Sequence, residues 1–197
     1  MIRHALLFAV AFALPLAPSF AQSPAPGSYK DWNKVDSVTI VQTFKFADYT
    51  RIAVLPLEKS EIKMPAESDN TFAPTKKILE ASETYFVEGL GKGVADFRKD
   101  VVVEKGAEGA AKDAKTLLFR GKLVKLGAGS QAARVFGGFG AGAGSAKISI
   151  ELVDAATGTV LARMTHERRV GSGGYDKVMS KALSEVGETF GKGLKGF

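Results

Sequence analysis

"KISIELVDAATGTVLARMTHERR", residues 147–169, is the stretch that decides the fold. Ile148, Ile150 and Leu152 alternate with Lys147, Ser149 and Glu151. A period of two marks a strand with one buried face. "DAATG" (154–158) is a turn with its glycine late. Val160, Ala162 and Met164 then resume the alternation. The expectation is an antiparallel hairpin, with Ile148 opposite Met164, Ile150 opposite Ala162 and Leu152 opposite Val160. A slip of one residue would turn Lys147 and Glu151 into the core, so the pattern opposes it.

Downstream, Tyr175, Val178, Met179, Ala182, Leu183, Val186, Phe190 and Leu194 recur every three or four residues. That is the apolar stripe of an amphipathic C-terminal helix. Upstream, "VDSVTIVQTFKF" (35–46) reads as a strand through Val38, Ile40, Phe44 and Phe46. "RIAVLPL" (51–57) is nearly continuous apolar sequence, as in a strand buried on both faces. Ile78, Ser82, Phe86, Leu90, Val94 and Phe97 carry helical spacing over 75–97, with Pro74 suited to the first turn. "VVVEK" (101–105) and "TLLFRGKLVKL" (116–126) are further strands, and "EGAAKDAK" (108–115) suits a helical turn or two. Strand, helix, strand reads as a right-handed βαβ unit. Gly89, Gly91 and Gly93 weaken the helix, by about 1 kcal/mol each, unless another backbone approaches them closely.

The fold class expected is therefore α/β. It is a single domain (35–197) with a mixed β-sheet, a βαβ unit, a C-terminal β-hairpin and a C-terminal amphipathic helix. Residues 22–34, with "SPAPGS", read as a flexible tail. Residues 1–21 read as a secretory signal peptide. Arg3 and His4 precede an apolar run, and Ser19 and Ala21 occupy the small-residue positions of a cleavage site after Ala21. The run is shorter than the roughly 20 residues of a spanning helix, and no other long apolar run follows. The reading is a periplasmic protein, with outer-membrane association left open, and with no transmembrane helix after signal removal.

Composition narrows the chemistry. There is no cysteine, hence no disulfide, thiol nucleophile or lipid-bearing cysteine. Without disulfides, the core must stabilise the chain. The formal net charge is +6, and removal of 1–21 takes away Arg3 and no acidic residue, leaving +5. A mildly basic exported chain suits anionic lipid headgroups or polyanionic envelope polymers, or simply solubility. Nucleic acid is a poor partner for it.

"GSQAARVFGGFGAGAG" (129–144) is the candidate functional segment. Gly138 to Ala143 fits G-x-G-x-x-A, but a strand and not a helix follows, so no dinucleotide is expected. Three readings stay open: a mobile connector, a close-packed partner contact, and a membrane-associated hairpin contributed by an oligomer. The possible partner-binding residues are Arg134, Phe136, Gly138, Phe139, Gly140 and Gly142. No catalytic, cofactor or metal residue is assigned. His166 is the single histidine after residue 21 and reads as a satisfied edge-strand residue. Glu80 and Glu83 read as a solvated helix face, and Asp154 as the stabiliser of its own turn. No acid, base and nucleophile set emerges, so an enzyme is not expected, with an uncharacterised hydrolase as the alternative.

"GSQAARVFGGFGAGAGSAKISIELVDAATGTVLA", with Arg134, the glycines of 137–144, Asp154 and Thr157-Gly158, resembles the core of domain of unknown function 4410. That family comprises exported Gram-negative proteins, often lipoproteins, and the likeness spans about residues 35–195. More distantly, the order of elements is similar to the periplasmic domain of curli-secretion lipoproteins and the N-terminal domain of the Tol-system translocation protein. The resemblance implies a non-catalytic cell-envelope binding or assembly module, with an envelope protein or an anionic envelope polymer as partner and oligomers possible. It implies no activity and no cofactor.

Overall fold

The computed structural model describes residues 24–106, 115–127, 144–171 and 174–197. Seven strands form one mixed sheet in the order β1-β2-β7-β6-β5-β3-β4. They are β1 (Gly27–Trp32), β2 (Val35–Ile40), β3 (Arg51–Val54), β4 (Val102–Lys105), β5 (Thr116–Gly127), β6 (Gly144–Asp154) and β7 (Val160–Val170). The helices are α1 (Phe72–Glu80), α2 (Ser82–Ala95) and α3 (Tyr175–Gly193). β3 pairs in parallel with both β4 and β5, and the other pairings are antiparallel. The α/β class, the βαβ unit through α1 and α2, the hairpin and the terminal helix are all present.

The core lies between the helices and one face of the sheet. Val38, Ile40, Ile148, Ile150, Leu152, Ala162 and Met164 meet Val178, Met179, Ala182, Leu183, Val186 and Phe190 of α3 there, all buried. A fully buried aliphatic or aromatic side chain contributes about 1.5–3 kcal/mol, so this layer dominates the fold's stability. Ile52, Ala53 and Val54 of β3 are all buried, as a continuous apolar run predicts.

Four expectations are corrected. The hairpin register is shifted by two: Ile148 faces His166, Ile150 faces Met164 and Leu152 faces Ala162. Val153 then faces Val160, leaving Leu161 as an extra residue in a bulge. The Leu161 carbonyl accepts from both Val41 N–H and Gln42 N–H, at 2.8 and 3.0 Å. A shift of two keeps every side chain on its face, so the pattern could not detect it.

The same bulge contact ends β2 at Ile40; Phe44 and Phe46 are buried beyond the strand. The helix over 75–97 is two helices, divided at Ala81, where buried Ser82 turns its hydroxyl back to the Leu79 carbonyl at 2.8 Å. Inside 22–34, residues Gly27–Trp32 form edge strand β1 instead of a tail. Asn33 and Lys34, both at positive φ (45° and 74°), make the tight turn into β2. Trp32 fixes the strand to α3 by donating from Nε1 to the Gly193 carbonyl at 3.0 Å.

α2 and α3 run side by side in the same direction, joined at glycines. Added methyls on Gly89 and Gly93 would meet the Ser184 and Glu188 carbonyl oxygens at 1.9 and 2.2 Å. Those on Gly187 and Gly191 would meet Phe86 and Leu90 carbonyls at 2.2 and 2.6 Å. The close approach anticipated for Gly89 and Gly93 is real. Gly91 lies off this seam, with only ordinary contact to Val103.

Candidate functional site

Helices cover one sheet face, so the alternate residues of the central strands line the other. One row crosses four strands through Ser37, Thr165, Ser149 and Lys122. The next runs Thr39, Arg163, Glu151 and Arg120. A third joins Glu167, Lys147 and Lys125. Short hydroxyl side chains keep the middle of this face flat, and Ser149 and Thr165 bond each other at 3.1 Å. Arg163 pairs with Glu151 at 2.9 Å, Lys122 with Glu61 at 2.5 Å and Lys125 with Glu167 at 2.8 Å. The Lys125 bond, with a further one from Arg169, holds the Glu167 carboxyl below its usual range against a partial burial that raises it. A shallow depression of about 260 Å³ lies among Glu58, Arg120, Lys122, Ser149, Glu151 and Arg163. It offers cations, carboxylates and a hydroxyl to a ligand.

Arg134, Phe136, Gly138, Phe139, Gly140 and Gly142 lie outside the described residues. So do residues 1–21, and all of 108–115 except Lys115. The flanks of the glycine-rich segment are placed. Gly127 faces Ser145 and Gly144 faces Val170, so the segment leaves the sheet where β5, β6 and β7 end together.

His166 is corrected from an edge position to a central strand, since β7 lies between β2 and β6. It is buried against Phe190, with ring centroids 6.3 Å apart. Its Nδ1 is 2.9 Å from the Asp36 carboxylate, which can only accept, so Nδ1 carries the proton. Asp36 also accepts the Glu167 backbone N–H at 2.8 Å. Nε2 has no partner among the described residues.

Glu83 is not a solvated helix residue. Its carboxylate accepts the Leu57 backbone N–H at 3.2 Å and pairs with Lys59 at 2.7 Å. A single carboxylate in a helical pattern carries no sequence signal of such a role. Asp154 does hold its turn, accepting from Thr157 N–H and Oγ1 at 2.8 and 2.9 Å. It also accepts the buried Tyr49 phenol at 2.8 Å. Burial, the largest influence, pushes the Asp154 carboxyl up, but the bonds from Tyr49, Thr157 and the backbone hold it below the carboxylate range. Burial, and then the bond to Asp154, push the Tyr49 phenol above the usual tyrosine range. Among the described residues no cluster of three or more His, Cys, Asp or Glu could hold a metal ion. No helix among them is long and apolar enough to cross a membrane.

The family described as domain of unknown function (DUF4410) matches residues 75–174. No curated protein matches the sequence. Among solved structures, the PelC dodecamer from Paraburkholderia phytofirmans is similar at 15% identity and a TM-score of 0.47, over 77% of this chain and 95% of that one. A DUF330 protein from Xanthomonas campestris is similar at 10% identity and a TM-score of 0.38, over 72% of this chain and 81% of that one.

Proposed function

The chain belongs to the DUF4410 family, and we propose that it is an exported, non-catalytic binding or assembly module of the cell envelope. The observation that carries the binding reading is the helix-free sheet face, four strands wide, lined by hydroxyls and by arginines and lysines interleaved with glutamates instead of apolar side chains. A surface of this kind recognises a partner by hydrogen bonds and charge. The depression within it, lined by Arg120, Lys122 and Arg163 together with Glu58, Glu151 and Ser149, offers charges of both signs and a hydroxyl to an envelope protein or polymer. Export rests on the sequence of residues 1–21, with cleavage after Ala21. The glycine-rich segment, with Arg134, Phe136, Gly138, Phe139, Gly140 and Gly142, belongs to the same binding role on sequence grounds. Arginine and aromatic side chains supply the usual anchors of an interface.

Photo-crosslinking in cells tests this reading, with the probe at Thr165 on the helix-free face or at exposed Glu88 on α2. Adducts from Thr165 and not from Glu88 are expected. Adducts from Glu88 alone would overturn the assignment. N-terminal sequencing of the same purified protein should begin at Gln22, and a start at Met1 would overturn the export route.

A further inference from the structure

We propose that the helix-free sheet face docks onto the same face of a second copy of this chain. The proposal rests on the binding reading above and names the partner. The face is its own complement. Along β6 it carries Glu151, Ser149 and Lys147, and opposite them along β7 it carries Arg163, Thr165 and Glu167. Each group on one strand thus has its complement on the next. A two-fold axis running along the strands between β6 and β7 sets β6 of each copy over β7 of the other. Arg163 then meets Glu151 of the second copy, Thr165 meets Ser149 and Glu167 meets Lys147. One strand further out, Thr39 meets Arg120 and Ser37 meets Lys122. In an isologous contact each of these occurs twice, and in none of them do like charges meet.

The interleaving of charge selects this partner. A polyanion laid on the face would meet Glu151 and Glu167, and a polycation would meet Arg163 and Lys147. The same face turned over presents the signs in the reverse order. The groups are open to such a partner: the side chains of Arg163 and Glu151 are 54% and 32% exposed. Among the described residues, Arg163 gives Glu151 one bond, from Nε to Oε1. A guanidinium has several donors and a carboxylate more than one acceptor site, so both can also serve the second copy. Face-packed sheets cross at about 30°, which displaces groups about 7 Å from the centre by about 3.5 Å. Arginine, lysine and glutamate side chains span that offset. The short hydroxyls of Ser149 and Thr165 lie at the centre, where water bridges them. With strands about 4.8 Å apart and about 3.4 Å per residue from Arg163 to Glu167, the patch measures roughly 20 by 17 Å, at the small end of specific interfaces. The association is therefore a weak, salt-sensitive dimer.

The test is sedimentation velocity of the protein, as isolated from expressing cells, over a wide range of concentration at low and high salt. A reversible dimer that dissociates on dilution and in high salt is expected. Arg163→Glu alone and Glu151→Arg alone each set like charges against one another twice, and each should weaken the dimer by at least about tenfold. An equimolar mixture of the two should restore it, because each variant supplies the charge that the other lacks. Melting temperatures report whether each variant is folded. If one is not, Lys147→Glu mixed with Glu167→Lys repeats the test at the other end of the patch. A parent that stays monomeric throughout would overturn the proposal. So would a mixture of folded variants without dimer, or a dimer indifferent to these substitutions. A monomeric parent whose Thr165 probe crosslinks another protein in cells would leave the binding reading standing and remove the second copy.

Discussion

Gly89 of α2 lies so close to Ser184 of α3 that a methyl group on its Cα would come within 1.9 Å of the Ser184 carbonyl oxygen. The obstacle is backbone, which cannot rotate away. Gly89→Ala should therefore push the helices apart and destabilise the protein by about 1–3 kcal/mol. Gly91→Ala, one turn position away from the seam, should stabilise it by up to about 1 kcal/mol through helix propensity alone. Urea midpoints of the two variants should move in opposite directions. Movement in the same direction would show that the seam is looser than the structure has it.

The Asp154 turn predicts an acid-dependent stability. The carboxyl is held below its unfolded value, so its contribution is present above the ordinary carboxylate range, about 3.9, and is lost as pH falls through the folded value. Tyr49→Phe removes one of the bonds responsible and should cost about 1–2 kcal/mol at neutral pH. That cost should shrink as pH falls through the folded value of Asp154, where the carboxylate becomes protonated in the parent as well. Carbon-13 titration of the Asp154 carboxyl should show its midpoint rising in Tyr49→Phe. The phenol's own pKa is raised, so the variant should leave the phenolate absorbance near pH 10 unchanged.

Asp36 ties the start of β2 to β7 through two bonds, one from His166 and one from the Glu167 backbone. Asp36→Ala leaves a buried imidazole N–H without its acceptor and should cost about 1–3 kcal/mol. In a His166→Leu background the same substitution should cost less, because one of the two donors is gone. Additive costs in that double-mutant cycle would show that the histidine bond contributes nothing.

Glu83 fastens the chain that leaves β3. Glu83→Ala should destabilise by about 1–2 kcal/mol by leaving the Leu57 N–H unpaired. Glu83→Gln retains an acceptor and should recover most of this. Amide exchange at Leu57 should quicken in the alanine variant and much less in the glutamine one.

The sequence by itself determined which residues face inward. Ile148, Ile150, Leu152 and the stripe from Val178 to Phe190 were legible because side-chain direction follows the local periods of 2 and 3.6. The hairpin, the βαβ unit and the terminal helix follow from those periods. Of the candidate site, the flanks of the glycine-rich segment and the turn role of Asp154 were legible, since both depend on neighbours in the chain. The tertiary structure decided the rest. The Leu161 bulge depends on Val41 and Gln42, more than a hundred residues away, and it sets a register the alternation cannot distinguish. β1 exists because Trp32 finds the Gly193 carbonyl on α3. Gly89 and Gly93 matter and Gly91 does not, because only the first two meet another helix. Local periodicity assigns each side chain a face, but long-range contact chooses its neighbour.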